Sequence, residues 1–240
     1  QGEAKSKPAA LAAVAQAAET KKQGIERNAA LTSDEKAEAV RKVNEELAKA
    51  QQAIKDAAND EAVTNEQGKG SIAISGVAET PVARPAADRV VEAAAAAKRQ
   101  EIESNGKLTE EEQKAALAKV DAALAAAKEE IKQAESSADV AAKGEAGKAA
   151  IEAIKAIEDQ AQSTKDLAKA AITQAEQDKK RQIENNTQLT REEKNDAISA
   201  VEAKADAARN AIDAAKKLAD VQAQEVQGKA DIAGVAETQA

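Results

Sequence analysis

The chain repeats itself, and that repetition restricts what it can fold into more than any single residue does. Leu31-Thr32-Ser33-Asp34-Glu35, Leu108-Thr109-Glu110-Glu111-Glu112 and Leu189-Thr190-Arg191-Glu192-Glu193 recur at spacings of 77 and then 81 residues. The same two offsets relate Ile25, Ile102 and Ile183; Asn28, Asn105 and Asn186; Val43, Val120 and Val201; Ile54, Ile131 and Ile212; and Gly70, Gly147 and Gly228. Three copies of one unit are expected, over residues 1–80, 81–160 and 161–240.

Composition says what kind of unit this is. Ala fills 65 of 240 positions and aromatic residues none, which favours helix and leaves little for strands or tight turns. Methyl groups bury little area, and at roughly 25 cal/mol per Å² each contact adds little. Stability must then be summed over many small contacts along an array, as repeat proteins do.

Punctuation divides each copy into three helices. Thr32, Thr109 and Thr190 stand three residues before Glu35, Glu112 and Glu193, the spacing of a capping box in which hydroxyl and carboxylate satisfy orphan amides. A helix is expected to start there. A preceding helix is expected from about Pro8 to Arg27 in the first copy, with Pro8 and Pro85 suited to a first helical position and a turn at 28–31 opened by Asn28.

After the cap, Val40, Val43, Leu47, Ala50, Ile54 and Ala57 form a heptad-like stripe. Turns near Asn59-Asp60, Ser136-Ser137 and Ala219-Asp220 precede a third helix, which in copy one carries Val63, Gly70, Ile74 and Val77. Gly70, Gly147 and Gly228 are expected to let another helix approach closely. The predicted fold is all-α, a tandem array of three antiparallel three-helix bundles stacked end to end into an elongated, monomeric rod.

The junctions are expected to differ. Pro81 and Pro85 forbid an unbroken helix between copies one and two, which predicts a short stiff linker. Residues 148–182 contain neither Pro nor Gly, which predicts a continuous helix and a stiffer second junction; the alternative is a break at Ser163-Thr164-Lys165-Asp166.

Most functional classes find no footing here. Without His, Cys or Tyr the chain lacks the imidazole and thiolate of common catalysis and the usual transition-metal ligands. Glu110, Glu111, Glu112, Glu192 and Glu193 read as first-turn carboxylates favoured by the helix dipole and not as catalytic pairs. Gly68-Lys69-Gly70 lacks the strand and fingerprint of a phosphate loop. No catalytic, cofactor or metal site is therefore expected.

The net charge of −8, spread over 35 basic and 43 acidic residues, argues against nucleic acid. No apolar run suggests membrane insertion. The polar opening lacks a signal-peptide pattern and reads as an excised or mature piece. The absence of Cys fits either the cytosol or the outside of a Gram-positive cell. The lack of aromatic anchors disfavours tight ligand binding.

The clearest motif, Lys179-Lys180-Arg181-Gln182-Ile183-Glu184-Asn185-Asn186 followed by Leu189-Thr190-Arg191-Glu192-Glu193-Lys194, resembles the helical repeat known as domain of unknown function 1542. Copy one departs from it with Gly24 and copy two with Gln113 in place of Lys. That repeat occurs in matrix-binding and biofilm-associated wall-anchored proteins of staphylococci, streptococci and lactobacilli. The resemblance implies an extracellular stalk of an adhesin, anchored through regions outside this segment and projecting a distal binding region, with no catalytic residues. The alternatives are repeats that themselves bind a host matrix or plasma protein, and an intracellular coiled-coil scaffold.

Overall fold

The computed structural model describes residues 4–157 and 163–237. Among the described residues there are nine α-helices and no strand: α1 (Lys7–Arg27), α2 (Ser33–Asp56), α3 (Asp60–Ser75), α4 (Ala83–Glu103), α5 (Glu110–Gln133), α6 (Ser137–Glu152), α7 (Thr164–Glu184), α8 (Arg191–Ala214) and α9 (Leu218–Ala233). Their lengths of 21, 24 and 16 residues recur in each copy. The chain is three helix bundles in tandem, repeat 1 being α1 to α3, repeat 2 α4 to α6 and repeat 3 α7 to α9.

Hydrogen bonds fix the up-down-up order in repeat 1. The Ser6 amide and hydroxyl donate to Asp60, which ties the starts of α1 and α3 together. Lys7 Nζ donates to the Lys55 carbonyl, which places the start of α1 beside the end of α2. Between α1 and α2 the chain turns on Asn28, whose side chain accepts from the Ala30 amide; Asn105 and Asn186 do the same for Lys107 and Gln188. The short polar side chain stands in for a backbone carbonyl and so closes a tight turn. Leu31, Leu108 and Leu189 follow each turn and are buried.

By contact density the chain divides into two compact units, residues 1–93 with 124–149 and residues 94–123 with 150–240. The first contains the whole of repeat 1 and the second the whole of repeat 3, and each includes one junction between repeats. In the first unit α1, α2 and α3 all touch one another around Val14, Ile25, Val43, Ile54, Val63 and Ile74. In the second, α7, α8 and α9 enclose Ile172, Ile183, Val201, Ala205, Ile212, Val221 and Ile232.

The core is thin enough for one helix to ride on another's methyl groups. A Cβ added to Gly70, Gly147 or Gly228 would stand 2.5, 2.6 or 2.5 Å from the Cβ of Ala50, Ala127 or Ala208, closer than non-bonded carbons come. At Gly147 and Gly228 it would also meet Val91 Cγ1 at 2.9 Å or Ile172 Cδ1 at 2.7 Å. These glycines are buried where three helices meet, and the missing side chain sets how closely they pack.

Four expectations need correction. The helix expected through 148–182 ends at Glu152, where the α6 stripe runs out at buried Ile151, and α7 starts afresh behind Ser163, whose hydroxyl accepts from the Asp166 amide. Freedom from Pro and Gly permits a helix without compelling one; residues 158–162 lie outside the described residues. The greater stiffness expected of that junction thereby loses its basis.

Of the two linker prolines only Pro81 lies between helices. Pro85 sits in the first turn of α4, where a missing N–H costs nothing. In repeat 3 the turn falls at Ala215 to Lys217, and Ala219-Asp220 are inside α9, because the 81-residue offset sets Lys217 opposite Ser136. Lastly, the α2 stripe begins at buried Ala39 with Val40 at its edge, and Val77 packs on the core from beyond the end of α3.

Substituting Gly147→Ala is expected to destabilise the chain by about 1–2 kcal/mol, overpacking outweighing Ala's better helix propensity. Gly24→Ala, with nothing within 4 Å of the added carbon, is expected to stabilise it by about 0.5–1 kcal/mol. Urea denaturation of the two variants checks both signs.

Candidate functional site at the repeat junctions

The first two capping boxes sit at the junctions between repeats. Thr32 accepts from the Glu35 amide while the Glu35 side chain accepts from the Thr32 amide. Thr109 with Glu112 and Thr190 with Glu193 repeat this exchange. Thr32 and Thr109 are 0% and 1% exposed, whereas Thr190 is exposed. What covers the first two is the next repeat in the chain.

Within the first unit the carboxylates that open α2 reach the helices of repeat 2. Glu35 uses its second oxygen to accept from the Val82 and Ala83 amides at 2.8 and 3.1 Å, at the start of α4. Asp34 accepts from the Ser137 amide at 2.7 Å, at the start of α6. The Ser33 amide donates to the Glu135 carbonyl at 2.7 Å, and the Thr32 and Ser137 hydroxyls meet at 2.7 Å. Two adjacent carboxylates thus satisfy orphan amides of two helices outside their own bundle.

Within the second unit the same positions do the same work. Glu112 accepts from the Thr164 amide at 3.4 Å, Glu111 from the Leu218 amide at 2.9 Å, and the Glu110 amide donates to the Lys216 carbonyl at 2.8 Å. Lys217, the residue before α9, makes no side-chain cap, so the carboxylate of the preceding repeat replaces it.

A cation completes each junction. Arg84 donates to the Ala29 and Leu31 carbonyls of repeat 1 and to the Ala134 carbonyl at the end of α5, at 2.7 to 2.9 Å, although its Nε finds no acceptor. Lys165, its counterpart, donates to the Gly106 and Asp213 carbonyls at 3.0 and 2.8 Å. A positive charge at the carbonyl ends of helices is well placed against the dipole. Lys7, at the same place in repeat 1, makes, among the described residues, only the bond within its own bundle.

A second recurrent cation closes the other end of each bundle. Lys98 and Lys179 are 9% and 8% exposed, and each donates to the last carbonyls of its third helix, those of Glu152 and Ala233. Lys21 instead pairs with Glu79 at 2.9 Å. Sequence reasoning singled out Lys179 in a motif but gave none of these lysines a role, although the Lys-Lys and Lys-Arg pairs ahead of Ile25, Ile102 and Ile183 were the available signal. Gln113, the departure from Lys in copy two, still donates to carbonyls ending α4, just as Lys36 and Lys194 do for α1 and α7.

Three of the junction carboxylates, Asp34, Glu35 and Glu111, titrate low. The Ser137 hydroxyl and amide hold Asp34 below the ordinary aspartate range. Burial pushes Glu35 upward, but the Thr32, Val82 and Ala83 amides outweigh it and leave it low. Glu111 is lowered by the Leu218 amide. Among the described residues no cluster of His, Cys, Asp and Glu can hold a metal ion, and no helix is long and apolar enough to cross a membrane.

These features define a class, a tandem array of helical repeats whose junctions are bonded by carboxylates and a cation. The sequence matches one family three times, at residues 6–82, 83–159 and 164–239, and that family is described as Domain of Unknown Function (DUF1542). The chain belongs to it. No curated protein and no solved structure matches the chain.

A folded-state carboxylate held low stabilises above its unfolded pKa and loses that contribution as pH falls through its own lower value. Asp34→Asn with Glu111→Gln is therefore expected to lower the thermal midpoint near pH 6. The gap from the parent chain is expected to close on acidification below about pH 4, where the parent's carboxylates protonate. Thermal scans by circular dichroism from pH 2 to 7 read the gap directly.

Proposed function

We propose that the chain is a structural spacer, a stretch of the stalk of a Gram-positive cell-surface adhesin that holds a distal binding region away from the wall. The repeated clasp carries this reading. The same carboxylate pair, amide and cation join consecutive repeats at both junctions, which fits a chain whose task is to transmit position from one repeat to the next. The membership in a family of tandem repeats supports it, as does the resemblance of that family to surface-protein repeat regions.

In this reading the chain carries out no chemistry. Asp34, Glu35 and Glu111 are engaged with backbone amides at the junctions, and their lowered pKa suits standing negative charge and not proton transfer. The anchor to the wall and the binding region lie in other parts of the protein, and the extracellular location follows from that role.

Small-angle scattering tests the spacer. A 24-residue helix is about 36 Å long, so bundles in line give a maximum dimension on the order of 100 Å. A radius of gyration near 18 Å, as for a compact domain of this length, contradicts the reading.

A further inference from the structure

We propose that Asn105, in the α4–α5 turn, is a site of spontaneous deamidation, and that the reaction loosens the second repeat junction while leaving the first intact. The three turn asparagines differ in the residue that follows them. Ala29 follows Asn28 and Thr187 follows Asn186, but Gly106 follows Asn105. With no side chain on Gly106, nothing crowds the approach of its backbone nitrogen to the Asn105 Cγ. Asn28 also holds its side-chain nitrogen on Glu79, whereas among the described residues the Asn105 side-chain nitrogen donates to no group.

The turn supplies what the reaction needs. Among the described residues the Gly106 amide meets no acceptor, so its proton can pass to solvent base. The carbonyl of the same peptide, that of Asn105, accepts from the Leu108 amide at 3.3 Å, and the Gly106 carbonyl accepts from the Lys165 ammonium at 3.0 Å. Both favour the deprotonated nitrogen. The Lys107 amide already donates to Asn105 Oδ1 at 3.0 Å, where negative charge develops as the nitrogen attacks. Gly106 is exposed, so water reaches the site.

The Gly106 nitrogen bonds to Asn105 Cγ, the bond from Cγ to the side-chain nitrogen breaks, and ammonia leaves carrying the equivalent of the amide proton, which closes a succinimide ring. Water then opens the ring. Attack at Cγ gives aspartate; attack at the main-chain carbonyl gives isoaspartate, whose backbone runs through Cβ and Cγ and is one carbon longer. The net exchange is water for ammonia. The longer backbone displaces the Gly106 carbonyl, through which Lys165 at the start of α7 holds repeat 2. At the first junction the matching carbonyl, held by Arg84, belongs to Ala29 and is spared.

Ageing the 240-residue chain in mildly alkaline buffer, followed by tryptic mass spectrometry, tests this. Residues 28–36, 100–107 and 182–191 leave as separate peptides, so each turn asparagine is read against the others. Asn105 is expected to convert about tenfold faster than Asn28 or Asn186, with matching release of ammonia and with isoaspartate resolved from aspartate by chromatography. Gly106→Ala, whose added carbon meets open space, is expected to keep the fold and slow the conversion about tenfold. In the aged, more acidic fraction the Glu110 amide, which donates to the Lys216 carbonyl, is expected to exchange about tenfold faster, with Ser33 unchanged.

An Asn105 that stays intact in the folded chain, under conditions that convert a free peptide of residues 100–107, overturns the inference. So does conversion that Gly106→Ala leaves at the parent rate, or an aged chain whose Glu110 amide exchanges no faster than in the fresh one.

Discussion

Each helix begins with amides that its own turns cannot satisfy, and at the starts of α4, α6, α7 and α9 the preceding repeat supplies an acceptor. That constraint organises the rest. A core of Ala, Val and Ile gives each bundle modest stabilisation, so loose ends would weigh heavily against it. Placing two acidic residues at the start of the second helix answers the need twice. Glu35 completes its own cap with one oxygen and closes α4 with the other, while Asp34 closes α6. Because each junction lies inside a compact unit, the contact between repeats is part of the packing and not an addition to it.

The glycines serve the same economy of space. With no side chain at Gly70, Gly147 and Gly228, the third helix settles on the methyl groups of Ala50, Ala127 and Ala208. That close approach makes a small-residue core dense enough to work. Conversely, Gly24 and Gly68 face open space and contribute nothing to packing.

Helix number, helix order and the Thr-x-x-Glu starts were legible because they depend on local chemistry that recurs at fixed offsets. The junctions were not. Glu110, Glu111 and Glu112 looked like ordinary first-turn carboxylates, and nothing local shows that Glu111 lies against Leu218, more than a hundred residues onward. At the second junction the alternative break at Ser163 holds over the continuous helix, for a related reason. Residues 148–182 have helix-forming composition, but the buried stripe ends at Ile151 and Ser163 offers a cap, so tertiary packing and a single hydroxyl decide where the helix stops. The cationic partners Arg84 and Lys165 were hidden because their acceptors are backbone carbonyls, which leave no mark in the sequence.

The central claim is that carboxylates at the second helix couple each repeat to the next. Native-state hydrogen exchange against urea, comparing the parent chain with Asp34→Ala combined with Glu111→Ala, measures that coupling directly. The account predicts that the three repeats of the parent chain open with a common denaturant dependence, and that in the variant they separate into distinct openings. Three repeats that still open together in the variant, with unchanged protection at α4, α6, α7 and α9, would contradict it.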